Sequence, residues 1–376
     1  MSTRYGFVST FPPTQCGLAT FTAALRSAML HSTTDEGLVV RLVDMAAPRP
    51  GDEVVAQLIS DDATSLNLAA DQLNRCDVAI MQHEYGVYGG ADGSEVLHLL
   101  DQVRVPCIVV LHTVLTDPTP HQRRVLESVI AKADAVVVMT MTARERLAAG
   151  YAVDMTRVRV IAHGAPALQT TMAEPTFRTG EFTVLTWGLL GPGKGIEWGI
   201  EAMTMLRDVR PMPRYVVAGQ THPKVLLDEG EAYRDRLREQ VRRAELGAWI
   251  TFDGHYRTAS SLASLIRSAD VVLLPYDSTE QVTSGVLTEA VAAGKPVVAT
   301  RFPHAAEVLA GGAGLLVPHR DPAAIAAALR SVITRGDVMT RMTAAAAATA
   351  PQLLWPVIAG QYRELAGRLI LASVAA

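Results

Sequence analysis

Lys194 stands in the run LTWGLLGPGKG, residues 185–195, with glycines at 188, 191, 193 and 195. Glycines let a ligand approach backbone N–H donors, and the lysine adds a point charge beside a helix start, which suits phosphate. A lysine at that place opposes the helix dipole, so a purely structural role is disfavoured. The spacing is not that of a P-loop, and ATP hydrolysis is not expected. A second anion-suited start lies in QVTSGVLTEA, residues 281–290, where Ser284 and Gly285 open a helix with free N–H groups. Glu289 follows one turn into that helix and can accept two hydroxyls of a ribose. The competing reading is a glutamate favoured by the helix dipole.

The first half offers weaker signals. Gly17 ends TFPPTQCG, residues 10–17, ahead of an apolar helical pattern. It either admits a ligand to unpartnered N–H groups or makes a tight turn with φ above zero. His83, Glu84 and Tyr85 leave a predicted strand in QHEYGVYGG, residues 82–90. They form either a polar binding loop or a solvated turn. His112 closes another strand, where it can serve a sugar hydroxyl or a developing charge, or sit in the core bonded to backbone.

These residues need rigid elements to hold them. Short Val/Ile-rich runs predict strands at 5–9, 39–44, 78–82, 107–111 and 135–139. A second series is predicted at 182–187, 215–218, 250–252, 271–274 and 296–299. Helical patterns alternate with them: Leu18, Phe21, Leu25, Ala28 and Met29 make one apolar stripe, and Ile358, Tyr362, Leu365 and Leu369 another. Strand–helix alternation implies parallel sheets, hence an α/β fold of two Rossmann-like doubly wound domains. Residues 165–180, with Pro166 and Pro175, read as a linker. The expected division is 1–168 for a first domain, 169–350 for a second and 351–376 for a closing helix. Ligands in such folds sit outside the strand carboxyl ends, here expected in a cleft between the domains.

The chain's 376 residues, about half apolar and 19% charged, suffice for two cores. A net charge of -4 and few aromatic residues argue against nucleic-acid binding. Cys16, Cys76 and Cys107 are odd in number and widely spaced, which excludes a disulfide framework or zinc pattern. No leader and no spanning segment are expected, so the reading is cytoplasmic. Lysine is scarce (Lys132, Lys194, Lys224 and Lys295), which base composition explains but which draws attention to Lys194. Oligomeric state leaves no mark on the sequence.

The motifs together resemble the retaining glycosyltransferases of family 4, with the GT-B fold. The likeness covers nearly the whole chain and is strongest over residues 185–322. The family's glycine-loop-Lys-Gly element is matched by Gly188, Lys194 and Gly195, with five residues between Gly188 and Lys194. Its E-A-x-A-x-G-x-P-V-V-A-T run is matched by EAVAAGKPVVAT from Glu289, and its G-x-L-V-P…D-P element by GLLVP from Gly314 with Asp321 and Pro322. The resemblance implies a hexosyl donor, mannosyl or glucosyl, as a nucleoside diphosphate sugar, a carbohydrate-type acceptor, no cofactor and no metal. It implies that Lys194, with Gly188 and Gly193, meets the donor pyrophosphate, that Glu289 meets the ribose, and that the backbone of Ser284, Gly285, Val286 and Leu287 meets phosphates or hexose. Gly17 and Gly219 join this donor set. His112, Lys194 and Gln281 are the implied catalytic residues, and His83, Glu84 and Tyr85 the acceptor side. Ile161 to Gly164 looks like the family's hinge, and Trp355 with the last helix like its return to the N-terminal domain. Two positions depart from the family: Leu189 replaces a common arginine and Gln281 a common glutamate. Arg301 is one candidate to restore the charge. The rival readings are a sugar-nucleotide epimerase, a phosphorylase, and a catalytically weak sugar-nucleotide-binding protein.

Overall fold

A computed structural model describes residues 2–167 and 181–375. The chain divides into a first unit, Met1–Gly164 with Trp355–Ala376, and a second, Ala165–Leu354. The expected boundary at 168/169 and most of the expected linker lie outside the described residues. Ala165 itself is buried and bridges to Leu354, so the start of that stretch is built into the second unit.

The first unit carries a parallel sheet of β1 (Arg4–Ser9), β2 (Glu36–Val43), β3 (Val54–Ile59), β4 (Val78–His83), β5 (Cys107–Leu111), β6 (Ala135–Val138) and β7 (Val158–Val160). Their order is β3-β2-β1-β4-β5-β6-β7. The two edge strands are absent from the predicted set. β3 is only half-buried along most of its length, and β7 is three residues with an exposed Arg159, so neither shows the apolar run of a central strand. The second unit's sheet comprises β8 (Thr183–Trp187), β9 (Arg214–Ala218), β10 (Ile250–Asp253), β11 (Val271–Leu274), β12 (Val297–Thr300) and β13 (Gly314–Val317), in the order β10-β9-β8-β11-β12-β13. β13, another edge strand, lies in the GLLVP motif and is half-buried over its first three residues, so it too lacks the apolar run of a central strand.

Both orders reverse direction once, between β1 and β4 and between β8 and β11. Each reversal leaves two loops diverging at the carboxyl edge, where doubly wound sheets take ligands. In the second unit these loops are the glycine-rich run after β8 and the segment after β11 that leads to Ser284. Topology thus brings together two motifs about 90 residues apart in the chain.

The helix Gly17–Leu30 buries Phe21, Leu25 and Met29 of the predicted stripe, with Leu18 and Ala28 at its margins. Against it packs the last helix, Trp355–Ala375, which buries Ile358, Tyr362 and Leu365. Arg363 Nη1 donates to the carbonyls of Ala28 and Met29 at 3.2 and 3.1 Å, satisfying the open end of the first helix. Trp355 lies edge-on to Phe21 at 5.2 Å and over Gly164, where any Cβ would overlap its ring. The final helix therefore completes the first unit's core.

Candidate active site

β8 delivers Trp187 buried and then turns through Gly188 at φ 122° into the loop that ends at Gly195, the N-cap of helix Ile196–Thr204. Two backbone approaches shape this loop. A Cβ on Gly195 would overlap the Pro275 carbonyl oxygen, and one on Gly219 would overlap that of Gly188. The loops after β8, β9 and β11 thus touch backbone to backbone. Asp277 N–H donates to Gly193 O at 2.9 Å, and Trp198 Nε1 donates to the Asp277 carboxylate at 2.8 Å. Lys194 immediately precedes the helix, with its Nζ 4.5 Å from the Tyr276 ring centroid. This cation–π contact holds the ammonium at the sheet edge without neutralising it. Tyr276 in turn stacks on Phe302 at 5.2 Å.

Helix Gly285–Ala292 starts after Ser284, whose Oγ accepts from Leu287 N–H at 3.3 Å. Ser284 N–H is not free, as expected, but donates to Nδ1 of buried His304 at 2.7 Å. Sequence reasoning missed His304, because nothing in FPHAAE distinguishes it from a surface histidine. The N–H groups of Gly285 and Val286 remain open, with no acceptor among the described residues. Gln281 Nε2 donates to Thr283 O at 3.0 Å, and its own carbonyl takes His304 N–H at 3.3 Å, so Gln281 braces the approach to this helix.

Glu289 accepts from Trp187 Nε1 at 3.2 Å, which ties the two sides of the β8/β11 reversal. Burial pushes its carboxyl up to about 7, and the indole hydrogen bond only partly offsets that. The second unit therefore gathers Gly188, Gly193, Lys194, Gly219, Ser284, Gly285, Val286, Leu287 and Glu289 around one sheet edge. Exposed Arg301 has its N–H on Val317 O, and Leu189 is partly buried.

In the first unit, Gly17 opens its helix behind Cys16, whose Sγ accepts from Ala19 N–H. Its φ is not positive and a Cβ would meet nothing within 4 Å, so the tight-turn reading of Gly17 fails. His83 is 1% exposed and neither ring nitrogen has a partner, so it is core rather than part of a solvated turn. Glu84 takes the Thr113 hydroxyl at 2.7 Å, and Tyr85 lies edge-on to His83. His112 is half-buried. Its Nε2 donates to Gln82 Oε1 at 2.8 Å rather than to backbone, which leaves Nδ1 an acceptor. Burial, then the neighbouring His163 and His83, lowers His112 to about 3, so its ring is neutral at pH 7. Among the described residues no group of three or more His, Cys, Asp or Glu side chains is arranged to hold a metal ion.

This pair of doubly wound domains is that of the GT-B proteins. The Anabaena protein Alr3699/HepE, solved in complex with UDP and glucose, superposes with a TM-score of 0.78 at 18% identity, over 97% of this chain and 100% of that one. Sucrose-phosphate synthase from Thermosynechococcus elongatus gives 0.76 at 19% identity, over 98% and 100%. At these identities the likeness is one of fold. Residues 181–335, which lie in the second unit, match the family model Glycosyl transferases group 1. Glycogen synthase of Mycobacterium tuberculosis is 29% identical over 206 residues, 54% of this chain and 46% of that protein. D-inositol 3-phosphate glycosyltransferase of Corynebacterium glutamicum is 27% identical over 294 residues, 71% of this chain and 68% of that one. The chain thus spans about half the length of the first of these relatives and two thirds of the other.

Proposed function

We propose that the chain is a retaining glycosyltransferase that moves a hexosyl group from a nucleoside diphosphate sugar to a carbohydrate-type acceptor, without a metal. The observation that carries this reading is the pairing of Lys194 with the open N–H groups of Gly285 and Val286 across the β8/β11 reversal, beside Glu289. The leaving diphosphate gains negative charge as the glycosidic bond breaks. Preorganised N–H donors and a fixed ammonium stabilise that charge more in the transition state than in the ground state. Glu289 takes the ribose hydroxyls, and Gln281 contributes through the backbone it braces. Neutral His112 offers Nδ1 to a hydroxyl of the transferred sugar. Because Gln281 and Leu189 lack the charges common in the family, donor choice here depends on N–H groups more than on side-chain charge.

Titration with UDP and GDP, then donor consumption with candidate acceptors in excess EDTA, tests the reading. Lys194→Ala should weaken nucleotide binding by about 10–100-fold, the loss of one charge-assisted contact. Unchanged binding and turnover in both Lys194→Ala and Glu289→Ala would sink the site assignment. Loss of turnover in EDTA would refute metal independence, and binding without turnover would favour a sugar-nucleotide sensor.

A further inference from the structure

The first unit holds a cavity of about 600 Å³ at the carboxyl ends of β1, β2 and β3, whose lining includes Thr10, Thr14 and Arg41 but not His112. Arg41 is 6% exposed. Its Nη2 donates to Thr14 Oγ1 at 2.9 Å, but its Nε is buried with no hydrogen-bond partner. Among the described residues no carboxylate pairs with it. Ser9 is its register partner on β1 and so shares its face of the sheet, and Ser9 Oγ is likewise buried and unpartnered. A guanidinium cannot shed its charge, so leaving one dehydrated and unpaired is costly unless something else supplies the anion.

Four carboxylates line the same cavity, all at residues more exposed than Arg41: Asp44 and Asp61 are exposed, half-buried Asp62 is spent on the N–H groups of Thr64 and Ser65, and half-buried Glu95 takes the Asp61 N–H at 3.3 Å. The cavity is therefore cationic where it is buried and anionic where it is open. A neutral sugar would leave Arg41 unpaired, and a ligand charged along its length would be repelled by the acids. Hydroxyls, by contrast, donate well to carboxylates.

We infer that this cavity binds the acceptor, and that the acceptor is a polyhydroxylated molecule bearing one terminal anionic group, phosphate or carboxylate, seated on Arg41 and Thr14. The word acceptor rests on the glycosyltransferase reading; the ligand chemistry does not. The test is calorimetric titration of the full chain with glucose, glucose 6-phosphate, glucuronate and inorganic phosphate. One of the two charged sugars should bind at least about tenfold tighter than glucose, as expected for a charge-assisted contact, and also tighter than phosphate alone. Which of the two prevails identifies the anion. Arg41→Gln should abolish the preference and Arg41→Lys retain part of it, with UDP and GDP binding as a folding control in the other unit. Should Arg41→Gln fail to fold, Thr14→Val, which removes the hydroxyl that orients Arg41, should narrow the preference. Glucose binding as tightly as both charged sugars, no binding of any sugar at millimolar concentration, or a preference that survives Arg41→Gln would overturn the inference. Absent nucleotide binding with the sugar preference intact would count against the donor site alone.

Discussion

Glu289 is a carboxylate held near neutrality by its surroundings, so in the proposed donor site it would be a proton-linked contact rather than a fixed charge. Its carboxyl is pushed up to about 7 by burial. Ribose hydroxyls donate to the ionised form, so binding should pull that value down and release a proton. At pH 7 the free site is about half protonated, and nucleotide binding should release roughly half a proton. Calorimetry in buffers of different ionisation enthalpy measures this directly. Affinity should rise from pH 6 to 8 in the wild type and stay flat in Glu289→Gln. A buffer-independent heat would show that Glu289 does not meet the ligand.

At the scale of elements, the two phosphate-suited loops stand or fall with backbone packing. Gly195 at φ 64° lies against the Pro275 carbonyl and Gly219 at φ 131° against that of Gly188. A methyl at either meets strain and overlap together, so Gly195→Ala and Gly219→Ala should each cost more than about 2 kcal/mol. Gly193 shares the unusual φ, at 87°, but faces open space, and Gly193→Ala should cost about 1–2 kcal/mol. Gly17→Ala should stay within about 0.5 kcal/mol, because that residue is ordinary helix with room for a methyl. Urea melts of the four variants give the ranking, and equal losses at all four would contradict this account. The helix starts themselves were legible from GKG and SG. That Ser284 N–H is spent on His304 was not, because the histidine comes from the next helix and meets the loop only after both have packed.

On the scale of the molecule, buried groups of the two units titrate in opposite senses: three histidines in the first and Glu289 in the second. In the first, burial lowers His83 to about 4, His112 to about 3 and His163 to about 4. The unfolded chain then binds more protons below about 6.5, so this stability is complete above that pH and is lost as pH falls toward 4. In the second, Glu289 is raised, so its contribution is full below the unfolded value near 4.5 and is lost as pH rises through 7. Hydrogen-exchange protection, corrected for intrinsic rates, should fall in the first unit between pH 7.5 and 5, while the Glu289 segment gains. Equal protection of the first unit at both pH values would show that its histidines titrate normally.

Central strands, the stripe on Gly17–Leu30 and the glycine-rich loop could be read from residue type and period, because each is dictated by its own neighbours in the chain. Edge strands β3, β7 and β13 could not, since half-buried pairs lack a distinctive pattern. Lys194 and Glu289 are legible in the sequence alone, as local chemistry beside a helix start. What joins them is the strand order, which sets the loops after β8 and β11 side by side and lets Trp187 reach Glu289. His83 went the other way: a histidine at a strand exit looked available, and packing buried it. The lone charge of Arg41 was invisible for the same reason. A strand arginine announces its presence, but only the fold decides whether a carboxylate, water or a ligand is left to meet it.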